Sequence, residues 1–462
     1  MIELFKDTFA DSEFLAKVRK IALPVTLESI LYMLTTLVDT VMIGRLGENA
    51  VAAVGLASKI FFIVTLVNFG VASGAAVLIS QYWGVKDVKH ICQVIGIGLI
   101  ISTGCSLLLA GASFFMPEGM MSILTNSPVL IELGAQYLRI IAATFILQAI
   151  SSLLIASLRC VEIARPAVVI SSIAIVTNIF FNWCMIFGHC GFEAMGVKGA
   201  AIATLIARAL ELVLSIAALK ISKSPLWMNI KYYFSFEKPV LMQFLKTSGP
   251  VVLNETLWGI GVSMPSLTYG RMGENVSAAM TIVATFQDIE VVGLKGLAEA
   301  AAVITGIELG MGHKENAKKF EKRFTLLAEM VALALAAFTL IIGKAYISIY
   351  DVQPQTAALV QSCLIVFAIT LIWRGQNNII YIGTLRAGGD TLVCMIMDII
   401  PTWVISAGIT PIVGLGLMWP LWAVFMVAQT DELVKFLFGI KRVRTYKWLK
   451  NLNTELTEGK SK

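Results

Sequence analysis

The stretch LVDTVMIGRLGENAVAA, residues 37–53, places Asp39 inside an apolar run long enough to cross a membrane. A carboxylate is costly at that depth, and residues of this kind usually serve a function. The tail of the stretch recurs in SLTYGRMGENVSAA, residues 266–279. Pro265, immediately before this second copy, stands in the position of the aspartate. The chain therefore contains the motif twice and the buried charge once.

The composition is that of a membrane protein. Of the 462 residues, 57% are hydrophobic and 14% are charged, and the mean hydropathy is +0.82. This is too much apolar sequence for one soluble core. The net charge of +6 does not indicate a nucleic-acid partner, because the basic residues collect in alternate loops and form no patch with interleaved aromatic residues.

Apolar segments of about twenty residues predict about twelve transmembrane helices, because lipid offers backbone groups no other partner. The predicted spans lie near 20–43, 51–80, 91–115, 129–156, 166–188, 197–219, 244–269, 277–308, 323–346, 357–384, 391–413 and 417–439. The loops on one side carry most of the lysines and arginines. We therefore expect a multi-pass protein of the plasma (inner) membrane with both termini in the cytoplasm.

The two halves of the chain repeat one another. Pro24 aligns with Pro250, GRLGENAVAA with GRMGENVSAA, and IASLRC with IGTLRA, at a nearly constant offset of about 226 residues. We predict an all-α polytopic membrane protein in which two pseudo-symmetric six-helix lobes surround a central cavity. The predicted division is an N-lobe over 1–220, a cytoplasmic or interfacial linker over 221–242, a C-lobe over 243–440 and a basic cytoplasmic tail over 441–462.

Four polar residues of the first lobe are candidates for binding H⁺ or Na⁺. Asp39 lies in span 1, Asn178 and Asn182 share one face of span 5 through their i,i+4 spacing, and Thr204 lies in span 6. A carboxylate with amide and hydroxyl oxygens suits either ion. Burial favours the neutral form of an aspartate, so Asp39 could bind a proton and release it to water. The alternatives are a static carboxylate and ordinary interhelical hydrogen bonds.

Pro24 precedes Asp39 by about four helical turns. A proline inside a helix removes a backbone hydrogen bond and bends the helix, so Pro24 could be a hinge. The alternative is that it starts the membrane part of span 1.

The second lobe holds more charge. Glu255, in VVLNETLWGIG, has no evident local partner and is the first candidate there for binding a cation or the substrate. Lys295 is assigned to an internal ion-pair network, because it can share one helix face with Asp288 and Glu299. The further substrate-binding candidates are Asp288, Glu290, Gln287, Asn377 and Asn378. Packing roles remain open for the neutral residues among them.

Signatures of enzymes are missing from the sequence. We find no GxSxG, HExxH, Walker loop or GxGxxG in a strand-turn-helix context. We therefore expect no enzymatic activity and no cofactor. Without a nucleotide-binding module, uphill transport would need a gradient of H⁺ or Na⁺.

The sequence resembles the multidrug and toxic compound extrusion (MATE) transporters, prokaryotic branch, without assignment to a subfamily. The resemblance is carried by Pro24, VDTVMIGRLG, the LR pairs after spans 4 and 10, GVKGAAIAT opening span 6, and a basic tail ending near Trp448. It implies antiport in which H⁺ or Na⁺ enters as organic, often cationic amphipathic compounds leave. The implied mechanism is a rocker-switch motion of the two lobes.

The resemblance also assigns individual residues. Asp39, Asn178 and Thr204 match the aspartate, asparagine and threonine of the family's N-lobe cation site. Asn182 falls where many prokaryotic members have a second aspartate, which makes protonation of Asp39 more attractive than a tight Na⁺ site. Glu255 matches the glutamate of a branch with a C-lobe cation site, but WRGQNNIIYIG lacks the acidic residue expected beside it.

Two other function classes fit the sequence less well. A flippase of lipid-linked precursors would share the two-lobe plan but should line its cavity with arginines and lysines to hold an anionic lipid. The spans here hold mainly acidic residues, which favours small organic cations as cargo. A channel or receptor would not need a buried carboxylate that alternates between the two sides. We expect a monomer surrounded by membrane lipid.

Overall fold

A computed structural model describes residues 2–235, 237–350 and 352–453, apart from the side chains of Ile2 and Glu290. The described residues form helices and connecting turns, with no strand among them. The α-helices in chain order are α1 Ile2–Ala10, α2 Ser12–Gly44, α3 Glu48–Gly84, α4 Val88–Phe115, α5 Pro117–Ser122, α6 Pro128–Cys160, α7 Arg165–Phe187, α8 Val197–Ile221, α9 Ile230–Phe234, α10 Lys238–Arg271, α11 Glu274–Gly310, α12 Lys314–Ile347, α13 Pro354–Asn377, α14 Thr391–Pro401 and α15 Leu421–Arg444.

Two helices continue as π-helices. α13 runs directly into a π-helix over Asn378–Arg386, and α14 is followed by π-helices over Thr402–Ile409 and Ile412–Gly416. Counted with these continuations, twelve long helical elements correspond to the twelve predicted spans, while α1, α5 and α9 are short. The all-α prediction is therefore confirmed.

Nine of the long elements in the described part of the chain are long and apolar enough to cross a membrane. The further long elements are α10, α11 and α15. Each of them carries charged residues well inside its length, such as Glu255 in α10, Asp288 in α11 and Asp431 in α15. The protein is a multi-pass membrane protein, and α10 and α15 carry buried charged residues in its second half.

The chain forms two compact units. The N-unit is Leu27–Val252, and the C-unit joins the described residues up to Thr26 with those from Leu253 onwards. The chain passes from one unit to the other inside α2 and again inside α10. Each crossing lies two residues after one of the repeat-related prolines, Pro24 and Pro250. The lobe limits predicted above follow the sequence repeat and stay a prediction.

Apolar side chains from successive helices fill the interior of each unit. In the N-unit, Phe145 and Leu138 of α6 lie in one cluster with Val64 of α3. In the C-unit, Phe367 of α13 lies in a cluster with Phe425 of α15. Tight packing of this kind fixes where the polar side chains on the same helices meet.

The linker that contains α9 packs against α4, and a glycine makes this approach possible. A Cβ atom on Gly96 would lie 1.6 Å from the carbonyl oxygen of Tyr233. By contrast, a Cβ atom on Gly104, in the same helix, would meet nothing within 4 Å.

We expect Gly96→Ala to push the linker away from α4 and to destabilise the protein by about 1–3 kcal/mol, the usual cost of overpacking. Gly104→Ala is the matched control, and we expect it to be neutral or to stabilise the helix by up to about 1 kcal/mol. Thermal unfolding of the purified variants checks this. Equal melting temperatures for the two variants would contradict the packing described for Gly96.

Candidate cation-binding site

The four polar residues predicted for the N-lobe meet in the N-unit. Asp39 comes from α2, Asn178 and Asn182 come from adjacent turns of α7, and Thr204 comes from α8. Asn178 and Asn182 are buried, whereas Asp39 and Thr204 are partly exposed. The helical spacing within α7 places both amides on the side that faces α2 and α8.

One hydrogen bond of this group is donated to Asp39, and the others run from Asn182 through Asn178 and Thr204 to a backbone carbonyl. The Nδ2 group of Asn182 donates to Oδ1 of Asp39 at 2.6 Å and to Oδ1 of Asn178 at 3.1 Å. Asn178 Nδ2 donates to Thr204 Oγ1 at 3.3 Å, and the Thr204 hydroxyl donates to the carbonyl of Ala200 at 3.0 Å. Among the described residues, no donor contacts Oδ2 of Asp39. One oxygen of this carboxylate is therefore free to take a proton.

An amide NH₂ group donates to two oxygens that would be candidate ligands of a sodium ion. Na⁺, like other hard cations, is held by oxygen ligands. Here Asn182 presents nitrogen to both Asp39 Oδ1 and Asn178 Oδ1. In the described part of the chain, no group of three or more His, Cys, Asp or Glu side chains could hold a metal ion. The arrangement suits a proton on Asp39 better than a sodium ion.

Beside this group lies an ion pair that the sequence analysis did not identify. Arg208 Nη1 contacts Glu211 Oε2 at 2.5 Å, and its Nη2 donates to the hydroxyl of Tyr32 at 3.1 Å. Ser151 also donates to Glu211, at 3.0 Å. The guanidinium acts electrostatically on Asp39, but Glu211 already balances its charge. The pattern Thr204-x₃-Arg208-x₂-Glu211 on one face of α8 is the signal that could have revealed it.

In the C-unit, Glu255 forms a buried ion pair. Its Oε1 lies 2.7 Å from Nη2 of Arg386, and both side chains are almost completely buried. Arg386 is the last residue of the π-helix that follows α13. The partner is remote in sequence, so the local sequence around Glu255 could not show it. A guanidinium thus occupies the position where a bound cation would face this carboxylate.

The N-unit holds a counterpart of this ion pair. Arg159, in IASLRC, lies 3.0 Å from Glu28 of α2. Arg386 is the equivalent arginine of IGTLRA, and Glu255 lies in α10, the first long helix of the second repeat. In each repeat the arginine of the LR pair therefore binds a glutamate on the first long helix. This shared geometry indicates a structural role for the Glu255–Arg386 pair.

The other predicted substrate-binding residues make contacts of their own, apart from Glu255. Asn377 Nδ2 donates to Glu432 Oε2 at 2.7 Å, and Asn378 Nδ2 donates to the Arg374 carbonyl at 3.0 Å. Asp288 is exposed, and Nε2 of Gln287 has no hydrogen-bond partner in the described structure. The side chain of Glu290 lies outside the described residues. No described hydrogen bond or ion pair joins these residues to Glu255.

Pro24 lies well inside α2, which begins at Ser12. The structure thus places it within a continuous helix.

Comparison with known proteins identifies the family. The family model MatE matches residues 24–184 and 253–412, one stretch in each half of the chain. The chain belongs to the MATE family. Among its relatives, an uncharacterized transporter YisQ of Bacillus subtilis is 25% identical over 432 residues, covering 92% of this chain and 93% of the relative. A probable multidrug resistance protein NorM of Thermotoga maritima is 24% identical, covering 83% and 82% of the two chains.

Solved MATE structures share the fold. A crystal structure of MATE in complex with MaL6 superposes with a TM-score of 0.83 at 19% sequence identity, covering 93% of this chain and 96% of that one. The two-lobe fold predicted from the repeat is therefore confirmed. The family and the fold are those of transporters.

The Glu255–Arg386 pair of this MATE protein can be tested by removing one charge or both. We expect Glu255→Gln alone to destabilise the protein by about 3–5 kcal/mol, because it removes the counter-charge of a buried guanidinium. The double variant Glu255→Gln with Arg386→Gln should recover much of this loss. Chemical denaturation in detergent measures both.

The matched control is Glu28→Gln, because the side chain of its partner Arg159 is 18% exposed and that of Arg386 only 4%. Its loss of stability should be clearly smaller. A double variant as unstable as Glu255→Gln alone would contradict the structural role.

Proposed function

We propose that this protein is a secondary multidrug exporter of the plasma (inner) membrane, in which entering protons drive organic, often cationic amphipathic compounds out by rocker-switch alternating access. The family assignment and the name of the NorM relative support export of drugs. The proposal of H⁺ as the coupling ion rests on the contact of Asp39 with the Asn182 amide nitrogen.

Asp39 is the carboxylate best suited to bind and release a proton. Its direct partner is a neutral amide, whereas Glu255 contacts Arg386 and Glu211 contacts Arg208. A carboxylate that faces a fixed cation keeps its charge, while one that faces only a neutral donor can exchange a proton. Partial exposure of Asp39 gives the proton a route to water.

Protonation of Asp39 would weaken its hydrogen bond with Asn182, because a charge-assisted bond is stronger than a neutral one. This bond links α2 to α7, so its loss changes the relative stability of two conformations of the transporter. Pro24 on the same helix is the proposed hinge. It lies two residues before α2 passes from the C-unit to the N-unit, and its ring removes a hydrogen bond of the helix there.

The cargo in this proposal is a small organic cation. Glu255 is paired with Arg386, so the predicted substrate-binding carboxylates that remain for a cationic cargo are Asp288 and Glu290. A flippase for an anionic lipid would need the opposite charge, so that alternative is not favoured. The transporter works as a monomer in lipid, with both termini in the cytoplasm and with H⁺ in place of any cofactor.

Asp39→Asn should abolish proton-driven efflux while the protein remains folded, because the amide keeps the shape of the carboxylate but cannot take up the coupling proton. The measurement is efflux of a fluorescent organic cation from proteoliposomes under an imposed pH gradient. We expect the variant to fall to the level of empty liposomes.

Glu48→Gln is the control, since Glu48 is an exposed carboxylate at the start of α3, a short distance after Asp39 in the chain. It should retain full efflux. If Asp39→Asn also retains it, Asp39 does not carry the coupling proton.

Asn182→Asp should create sodium dependence. The change replaces the NH₂ group between Asp39 and Asn178 by oxygen, and two adjacent carboxylates favour a bound cation. We expect Na⁺ to raise the melting temperature of this variant and to stimulate its efflux, with no such effect in the unmodified protein. Asn178→Asp is the matched control on the same helix face. A sodium effect already present in the unmodified protein would contradict the role assigned to Asn182.

A further inference from the structure

The linker between α8 and α10 carries an exposed surface that the proposed transport mechanism does not use. Three apolar and three basic side chains are exposed on it, and we name these six residues the linker face: Trp227, Ile230, Phe234, Lys220, Lys223 and Lys231. Each of the three apolar side chains is at least half exposed. Exposed apolar side chains grouped in this way mark an interaction surface.

The opposite side of the linker is fixed to the N-unit. Leu226 is fully buried, and its carbonyl accepts a hydrogen bond from the hydroxyl of Tyr233. Gln93 of α4 donates from Nε2 to the carbonyl of Ser235 at 2.9 Å, and the backbone of Tyr233 lies directly against Gly96. The linker therefore has one side held against α4 and the linker face open.

The contact with Gly96 places the linker at the depth of the membrane interface. Gly96 follows Ile91, where the predicted span begins, by five residues, which is roughly 7 Å along a helix. Helices that lie in the interface plane are buried about 5–10 Å into the boundary between headgroups and acyl chains. The linker also starts where α8 ends, at Ile221. The linker face therefore meets the bilayer, and an exposed tryptophan is typical of this level.

The charge of the linker is positive and largely unbalanced. Between residues 220 and 238 the chain has four lysines and one acidic residue, Glu237, which contacts Lys89 of α4 at 3.3 Å. In the described part of the chain, no acidic side chain forms an ion pair with the three lysines of the linker face. A turn in which the Lys223 amide donates to the Lys220 carbonyl at 3.1 Å brings two of them together. Long lysine side chains can extend their ammonium groups to the headgroup level.

We infer that the linker face is a binding site for an anionic membrane phospholipid. Lys220 and Lys223 attract the charged headgroup, and the apolar side chains of the linker face pack against the acyl chains. A zwitterionic phospholipid offers the same chains but no net charge, so it binds more weakly. An acidic protein is the poorer partner, because the apolar side chains lie at the depth of the bilayer interface.

Native mass spectrometry of the full-length protein in a nonionic detergent tests this site. Phosphatidylglycerol and phosphatidylcholine with the same acyl chains are titrated in parallel, and we expect phosphatidylglycerol to bind more tightly. A lysine near an anionic lipid surface strengthens binding about fivefold. The double variant Lys220→Gln with Lys223→Gln should therefore weaken phosphatidylglycerol binding about 25-fold and leave phosphatidylcholine binding unchanged.

The matched control removes two exposed lysines elsewhere, by Lys198→Gln with Lys344→Gln. Lys198 lies at the opposite end of α8 from Lys220, and Lys344 lies in the last turn of α12. We expect this variant to keep the preference for phosphatidylglycerol. Trp227→Ala removes an apolar contact that both lipids share, so it should weaken the binding of both.

The proposal is overturned if the unmodified protein binds the two lipids equally, or if Lys220→Gln with Lys223→Gln keeps the full preference. It is also overturned if Trp227→Ala leaves both affinities unchanged. Displacement of phosphatidylglycerol by glycerol phosphate, the headgroup without chains, would contradict it too, because the site then binds a free phosphate group. None of these results depends on the coupling ion or on transport.

Discussion

A charge placed inside a membrane span must be compensated by a neighbour, and this constraint organises both units of the protein. Glu255 is compensated by Arg386, Glu28 by Arg159 and Glu211 by Arg208. Asp39 differs, because its direct partner is the neutral amide of Asn182. The same chain therefore separates carboxylates that contact a cation directly from Asp39, the carboxylate proposed to change its charge during transport.

The two sequence repeats share one ion-pair arrangement. Both units place the arginine of an LR pair against a glutamate of the first long helix. The surrounding backbone differs, since Arg159 lies at the end of a regular α-helix and Arg386 at the end of a π-helix. π-Helices are rare and often occur at functional sites. In this protein the π-helix follows Asn377, which donates to Glu432 of α15, and ends at Arg386, so this segment connects the Glu255–Arg386 pair to α15.

Much of this could be predicted from sequence, because lipid restricts the options. Apolar run lengths gave the long helices, and the i,i+4 spacing of Asn178 and Asn182 placed both on the face that meets Asp39. The partner of Glu255 could not be predicted, because it depends on tertiary contact between α10 and a π-helix. The ion pair of Asp431 and Lys435 on α15 is visible in TDELVK from its i,i+4 spacing, but the contact of Lys435 with Asp398 depends on how α14 packs on α15.

In the mechanism proposed here, the protein couples transport to protons and not to sodium. Its most direct test is efflux of an organic cation from proteoliposomes of the unmodified protein, under a pH gradient without Na⁺ and, separately, under a Na⁺ gradient at equal pH. The pH gradient alone should drive efflux, and the Na⁺ gradient alone should not. Efflux driven by Na⁺ at equal pH would contradict the assignment of Asp39 and Asn182 as a proton-binding pair.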